Sequence, residues 1–202
     1  MPTNNAWNSN IPVEISKGGT NATSMATSTG IVKYDGTSLV TSSTALIDSS
    51  NRMTNTSQPV VFAYKQTDST NATGDGTLVT IVFDTEITDQ NNNYNNSTGT
   101  FTAPVAGTYF VHANVGIGNK GTSTAAEVNI VSTARTFYCS TWPWSATGTN
   151  NYLVLSNTAL VPMAANDTVT IKINSLGGTK NNTLLGLSAS RPVTYLCIYL
   201  VA

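Results

Sequence analysis

The chain has 202 residues, of which 40% are hydrophobic and only 9% charged, and its net charge is -1. Nine scattered basic residues cannot neutralise a run of phosphates, which excludes nucleic acid, and they form no polybasic segment for an anionic membrane surface. No apolar stretch approaches the roughly 20 residues of a membrane span, which excludes membrane insertion by a helix.

An ordinary globular protein carries about 25% charge. Here Ser, Thr and Asn take that place. Their side chains compete with the backbone in helix interiors and suit strands and turns. The composition therefore predicts an all-β protein of an extracellular or virion surface.

The start, Met1-Pro2-Thr3-Asn4-Asn5, has neither the charged nor the apolar region of a leader peptide. Either the protein leaves its cell without one, or a leader was removed. Residues 1–56 form a Gly/Ser/Thr/Asn-rich segment, expected to act as a stalk or connector. It is expected to be ordered, through packing on a neighbouring subunit. Within it Asp35-Gly36 is a turn signal flanked by Ile31/Val32 and Leu39/Val40, which predicts a small hairpin. So short a segment cannot bury a face by itself.

From Pro59 the pattern changes to a series of strands. They are predicted at Val60 to Lys65, Leu78 to Phe83, Gly107 to Ile117, Ala126 to Ser132, Tyr152 to Val161, Thr168 to Ile173 and Tyr195 to Val201. In the third, Tyr109, Val111, Ala113, Val115 and Ile117 share one face, while Phe110, His112 and Asn114 share the other. In the sixth, Val169, Ile171 and Ile173 alternate with Thr168, Thr170 and Lys172. Both read as half-buried strands. The last run, Tyr195-Leu196-Cys197-Ile198-Tyr199-Leu200-Val201, is apolar on both faces. It is predicted to lie centrally in a sheet, one face on the partner sheet and the other on a second subunit.

The spacing Phe83, Asp89, Tyr94, Phe101, Gly107, Tyr109, followed by Phe110, resembles the aromatic signature of the complement C1q globular-head and tumour-necrosis-factor-like family. The string Phe101-Thr102-Ala103-Pro104-Val105-Ala106-Gly107-Thr108-Tyr109-Phe110 fits as well. Leu160 to Val169 resembles a later turn of that family, with Asn166 where Gly is usual. The resemblance covers residues 57–202 and implies a ten-strand jelly-roll sandwich that assembles as a threefold trimer. The family usually places aromatics where Val111 and Ala113 stand here, so reduced aromatic packing between subunits is expected in that strand. Physically, Phe83, Phe101 and Tyr109 are large enough to fill a sandwich about 10 Å thick. Pro104 and Gly107 are read as breakers, with Gly107 supplying positive φ. Lys17 to Thr23 and Asp35 to Leu39 resemble segments of phage tail-fibre and virion-spike proteins.

Catalytic chemistry is not expected. His112 is the single histidine, no Gly-x-Ser-x-Gly elbow or phosphate-binding Gly loop occurs, and two Cys with one His do not make a zinc site. Cys139 and Cys197 read as free thiols, with a disulfide between them left open. No cofactor is expected; Asp84 and Glu86 are the weak candidates for a metal site, their oxygens suiting calcium. Tyr138, Trp142 and Trp144 form a candidate ligand-binding loop, since exposed aromatics stack on sugar rings; an aromatic plug over the sandwich end is the plainer reading. The expected partners are the chain itself, as a homotrimer or a higher-order polymer, and a cell-surface receptor or glycan. The leading expectation is the knob of a viral, phage or extracellular fibre. The alternative is a subunit of a self-assembling extracellular filament, whose N-terminal segment docks on the next subunit.

Overall fold

The computed structural model describes residues 30–34, 37, 39–47, 50–121, 123–141, 151–187 and 189–202. The chain divides into two units, Met1–Ser57 and Gln58–Ala202. The fibre- and spike-like stretch 17–23 and the start of the chain lie outside the described residues.

In the first unit β1 (Gly30–Tyr34), β2 (Leu39–Ile47) and β3 (Met53–Asn55) form an antiparallel sheet in that order. Tyr34 pairs with Leu39 and Lys33 with Val40, which is the predicted hairpin. Asp35 and Gly36 at its tip lie outside the described residues. Val32, Ile47 and Met53 are exposed, and among the described residues none of the buried core belongs to this unit. A three-stranded sheet alone is too small to enclose a core.

The second unit contains thirteen strand segments among the described residues. They begin with β4 (Val60–Tyr64), β5 (Ser69–Thr73), β6 (Val79–Thr80), β7 (Thr85–Gln90), β8 (Tyr94–Asn95) and β9 (Thr100–Thr102). β10 (Gly107–Gly118), β11 (Ala125–Ser132), β12 (Thr136–Thr141) and β13 (Leu153–Met163) follow. β14 (Thr168–Leu176), β15 (Asn182–Leu184) and β16 (Tyr195–Leu200) end the unit. One sheet runs β5-β15-β10-β16-β4-β7, with β13 on the other edge of β10. The second runs β12-β11-β14-β9-β8, with β6 also on β14. All pairs are antiparallel. The result is a jelly-roll sandwich. Its segments outnumber the ten strands implied by the resemblance because several are pieces of only two or three residues.

Alternation decides what lies between the sheets. Tyr109, Val111, Ala113, Val115 and Ile117 of β10 are all 0% exposed, facing Val169, Ile171 and Ile173 of β14 across the core. Leu196 and Ile198 complete that layer from β16. The core is closed near one edge by Asn157 of β13, whose amide donates to Val128 O and Phe137 O of the opposite sheet, both at 2.9 Å. Val111 and Ala113 therefore bear on the core, so their small size does not thin the outward face of β10.

Three local expectations are corrected. The strand predicted over Leu78 to Phe83 pairs as a strand only at Val79–Thr80. Beyond it, the Phe83 N–H donates to the Tyr94 hydroxyl at 3.0 Å instead of to a neighbouring strand. Strands β5, β7, β12 and β15 pair although their sequences carry little alternation and, in β5 and β15, are mostly Ser, Thr and Asn. Gly107 is not a positive-φ residue; that conformation occurs nearby at Asn166 (φ 71), which tolerates it as Gly would. Gly107 is required by close approach. A Cβ there would lie 2.6 Å from Ala202 O and from Leu200 Cδ1, while Thr108 N–H donates to Ala202 O at 2.6 Å. Gly107→Ala is expected to lower stability by roughly 1–3 kcal/mol, as overpacking does. A urea midpoint equal to that of the parent protein would show that the C-terminal backbone moves aside freely.

Candidate assembly interface

The outward positions of the first sheet form a grid fixed by strand register. One row is Leu160, Phe110, Tyr199 and Val60. The next is Thr158, His112, Cys197 and Phe62, and the third is Ser156, Asn114, Tyr195 and Tyr64. The outward positions of β10, β16 and β4 carry no Lys, Arg, Asp or Glu.

Five rings touch in succession across this grid. Phe110 stacks on Tyr199 at 4.9 Å between centroids and lies 6.5 Å from the His112 ring. His112 lies 5.7 Å from Tyr195, which meets Phe62 edge-on at 5.9 Å. His112 Nδ1 is 2.7 Å from the Thr158 hydroxyl, so the imidazole is anchored to β13. Burial pushes the Cys197 thiol above its ordinary pKa, which keeps it protonated and poorly nucleophilic. Leu160 is 57% exposed and Tyr199 42% exposed. A soluble single chain seldom leaves so continuous an apolar, uncharged surface in water.

The signature aromatics divide by side. Phe83, Phe101 and Tyr109 are fully buried and Tyr94 nearly so, whereas Phe110 points outward. Phe101 meets Tyr109 edge-on at 5.4 Å, and Phe83 lies 6.5 Å from Tyr94. The Tyr109 hydroxyl donates to Val105 O at 2.8 Å, tying the long strand to its lead-in turn. Asp89 ties a turn in the same way, its carboxylate accepting the backbone N–H groups of Asn93 and Tyr94, each at 3.0 Å. Burial raises the Tyr94 and Tyr109 phenols above their ordinary pKa, so both stay neutral hydrogen-bonding groups.

Of the two calcium candidates, Asp84 already has partners of its own. The Asp84 carboxylate accepts Gln66 N–H at 2.7 Å and Thr67 N–H at 3.4 Å, and lies 3.8 Å from the buried Lys65 Nζ. Desolvation, and then the nearby charge of Asp89, raise the Glu86 carboxyl above its ordinary pKa. Among the described residues no group of three or more His, Cys, Asp or Glu is placed to hold a metal. Tyr138 sits on strand β12, on the opposite sheet from the aromatic face, and is 71% exposed. Trp142 and Trp144 lie outside the described residues. Cys139 and Cys197 are free and belong to different sheets.

Sequence reasoning located β10 and β16 in this face but missed Phe62. The signal was present: the half-buried Val60 and Phe62 alternate with the buried Val61 and Ala63.

A jelly-roll sandwich with a closed core and one open aromatic face is thus the class that fold and surface define. The chain belongs to the C1q domain family, whose model matches residues 60–186. Among solved structures it is similar to the globular domain of zebrafish complement 1qA protein, with 18% identity over 71% of this chain and 98% of that one, at a TM-score of 0.48. Murine APRIL at pH 8.0 is similar at 13% identity over 71% of this chain and 99% of that one, with a TM-score of 0.49. The Eiger TNF from S. frugiperda shows 10% identity over 72% and 93% of the two chains, with a TM-score of 0.47. No curated protein sequence matches this chain.

Proposed function

We propose that this protein is a non-enzymatic structural and binding module that works as a homotrimer: the knob of a viral, phage or extracellular fibre that attaches to a receptor or glycan. The supporting observation is the uncharged face built from Phe62, Phe110, His112, Tyr195 and Tyr199. Three copies meeting on it around a threefold axis would bury the aromatic rings of each. Residues 1–56 then form the stalk or connector of each chain and residues 57–202 its knob.

A second reading is a filament subunit, favoured by the exposed apolar residues Val32, Ile47 and Met53 of the first unit. In that reading the N-terminal sheet docks on the next subunit. Light scattering of the purified full chain separates the two. A uniform three-chain particle is the expected result; a mass that grows with concentration favours the filament, and a stable single chain sinks both.

A further inference from the structure

An open hollow of about 670 Å³ lies on the second unit beside β8 and β9, away from the aromatic face. Its walls are the turn leading into β8, the outward side of β9 and the turn before β14. The lining contains Asn92, Asn96, Thr98, Thr100, Thr102 and Asn166, with Pro104 at one side and no Lys, Arg, His, Asp or Glu. The volume falls within the range of small-molecule sites.

The walls are held from behind. Asp89 clamps the N–H groups of Asn93 and Tyr94, the Asn93 amide donates to Gln90 O at 2.7 Å, and Thr102 N–H donates to Asn93 O at 2.8 Å. On the far side Ala103 N–H donates to Asp167 O and Asn166 N–H to Ala103 O, both at 2.8 Å. Asn92 and Asn166 stand at φ 53 and 71, so the backbone geometry there is set by the turns. Such fixed walls spare a ligand the cost of ordering them.

Several amides between Gln90 and Asn96 hold the local structure. Gln90 Nε2 donates to Gln58 O at 2.9 Å, Asn93 closes its own turn, and Asn95 Oδ1 accepts from Ser97 and Thr98 N–H. The amides of Asn92, Asn96 and Asn166 and the hydroxyls of Thr100 and Thr102 hold no such bond among the described residues, and they line the hollow.

The geometry points to a binding site for a neutral saccharide. Amides and hydroxyls both donate and accept, as sugar hydroxyls do. A phosphate, sulfate or carboxylate would meet no cation in the lining. A lipid or aromatic ligand would find only Tyr94, Ala103 and Pro104 as apolar surface, and the Tyr94 side chain is nearly buried. The site gives a ligand to the binding role proposed above, without depending on three-chain assembly or on the Tyr138, Trp142 and Trp144 candidates.

Saturation-transfer NMR on the full chain tests it. The probes are linear hexamers of glucose, mannose, galactose and N-acetylglucosamine, with a heparin hexasaccharide and sialyllactose as charged controls. At least one neutral oligomer is expected to bind. Thr100→Val with Thr102→Val is expected to weaken it roughly tenfold or more, the scale of one or two lost hydrogen bonds. Asn166→Gly, which keeps the left-handed backbone but removes the amide, is expected to weaken it as well. Trp142→Ala with Trp144→Ala should leave binding in place. Binding of charged probes alone, binding of none, indifference to the hollow variants, or loss only in the Trp variant would each overturn the proposal. Particle mass measured on the same samples shows separately whether the trimer reading stands.

Discussion

Phe110→Asp is expected to convert the proposed trimer into single chains of 21.2 kDa. Phe110 stands in the middle of its row, between Leu160 and Tyr199, in a face whose outward β10, β16 and β4 positions hold no ionised side chain. In a threefold assembly the substitution places three carboxylates in an apolar contact with no cation to pair them. Like charges brought together in an interface cost several kcal/mol, and each 1.4 kcal/mol is a tenfold change in association. Association should therefore fall by at least about a hundredfold. The fold should survive, since the Phe110 side chain lies outside the core that holds Tyr109 and Val111. Tyr138→Asp, on the opposite sheet, is the matched control and should leave the particle mass unchanged. Sedimentation velocity at several concentrations reads both. A Phe110→Asp protein that still sediments as the parent would remove this face as the assembly surface.

The second large effect is on stability. Phe101→Ala is expected to cost about 3–5 kcal/mol, the range for emptying a fully buried aromatic site. Phe101 is 0% exposed and rests edge-on against Tyr109, itself fully buried. Its backbone pairs with Val169 in β14, so collapse around the missing ring is resisted by the sheet on one side and by β10 on the other. Domains are stable by only about 5–15 kcal/mol, so the change removes a large share of the total. Urea unfolding should show a lower midpoint with an unchanged slope. A midpoint within error of the parent would mean that Phe101 is not part of the packed core.

How much of this was legible in the sequence depends on what each residue does in the fold. β10 and β14 carry period-two patterns, and the register of their side chains could be read directly. β5, Ser69–Thr73, and β15, Asn182–Leu184, pair with each other through backbone groups, and their Thr and Asn side chains resemble those of a loop. The aromatic face was half legible. The doubly apolar Tyr195 to Val201 run demanded a second cover, but the Phe62–Tyr195 contact depends on β4 and β16 lying side by side. Gly107 shows the same limit: the atom that forbids its Cβ belongs to Ala202, at the far end of the unit.

The position of β16 has a consequence for synthesis. It lies between β4 and β10, pairing with both, although β4 opens the unit and β16 closes it. As the chain emerges from the ribosome, β4 with β7 and β10 with β13 can form separately, each with a bare hydrogen-bonding edge. Those edges stay unpaired until β16 is released. Contacts so distant along the chain fold slowly, and unpaired edges are aggregation-prone while they wait. The nascent domain is thus most vulnerable until β16 emerges, and truncation before β16 leaves two sheet fragments with no strand to join them.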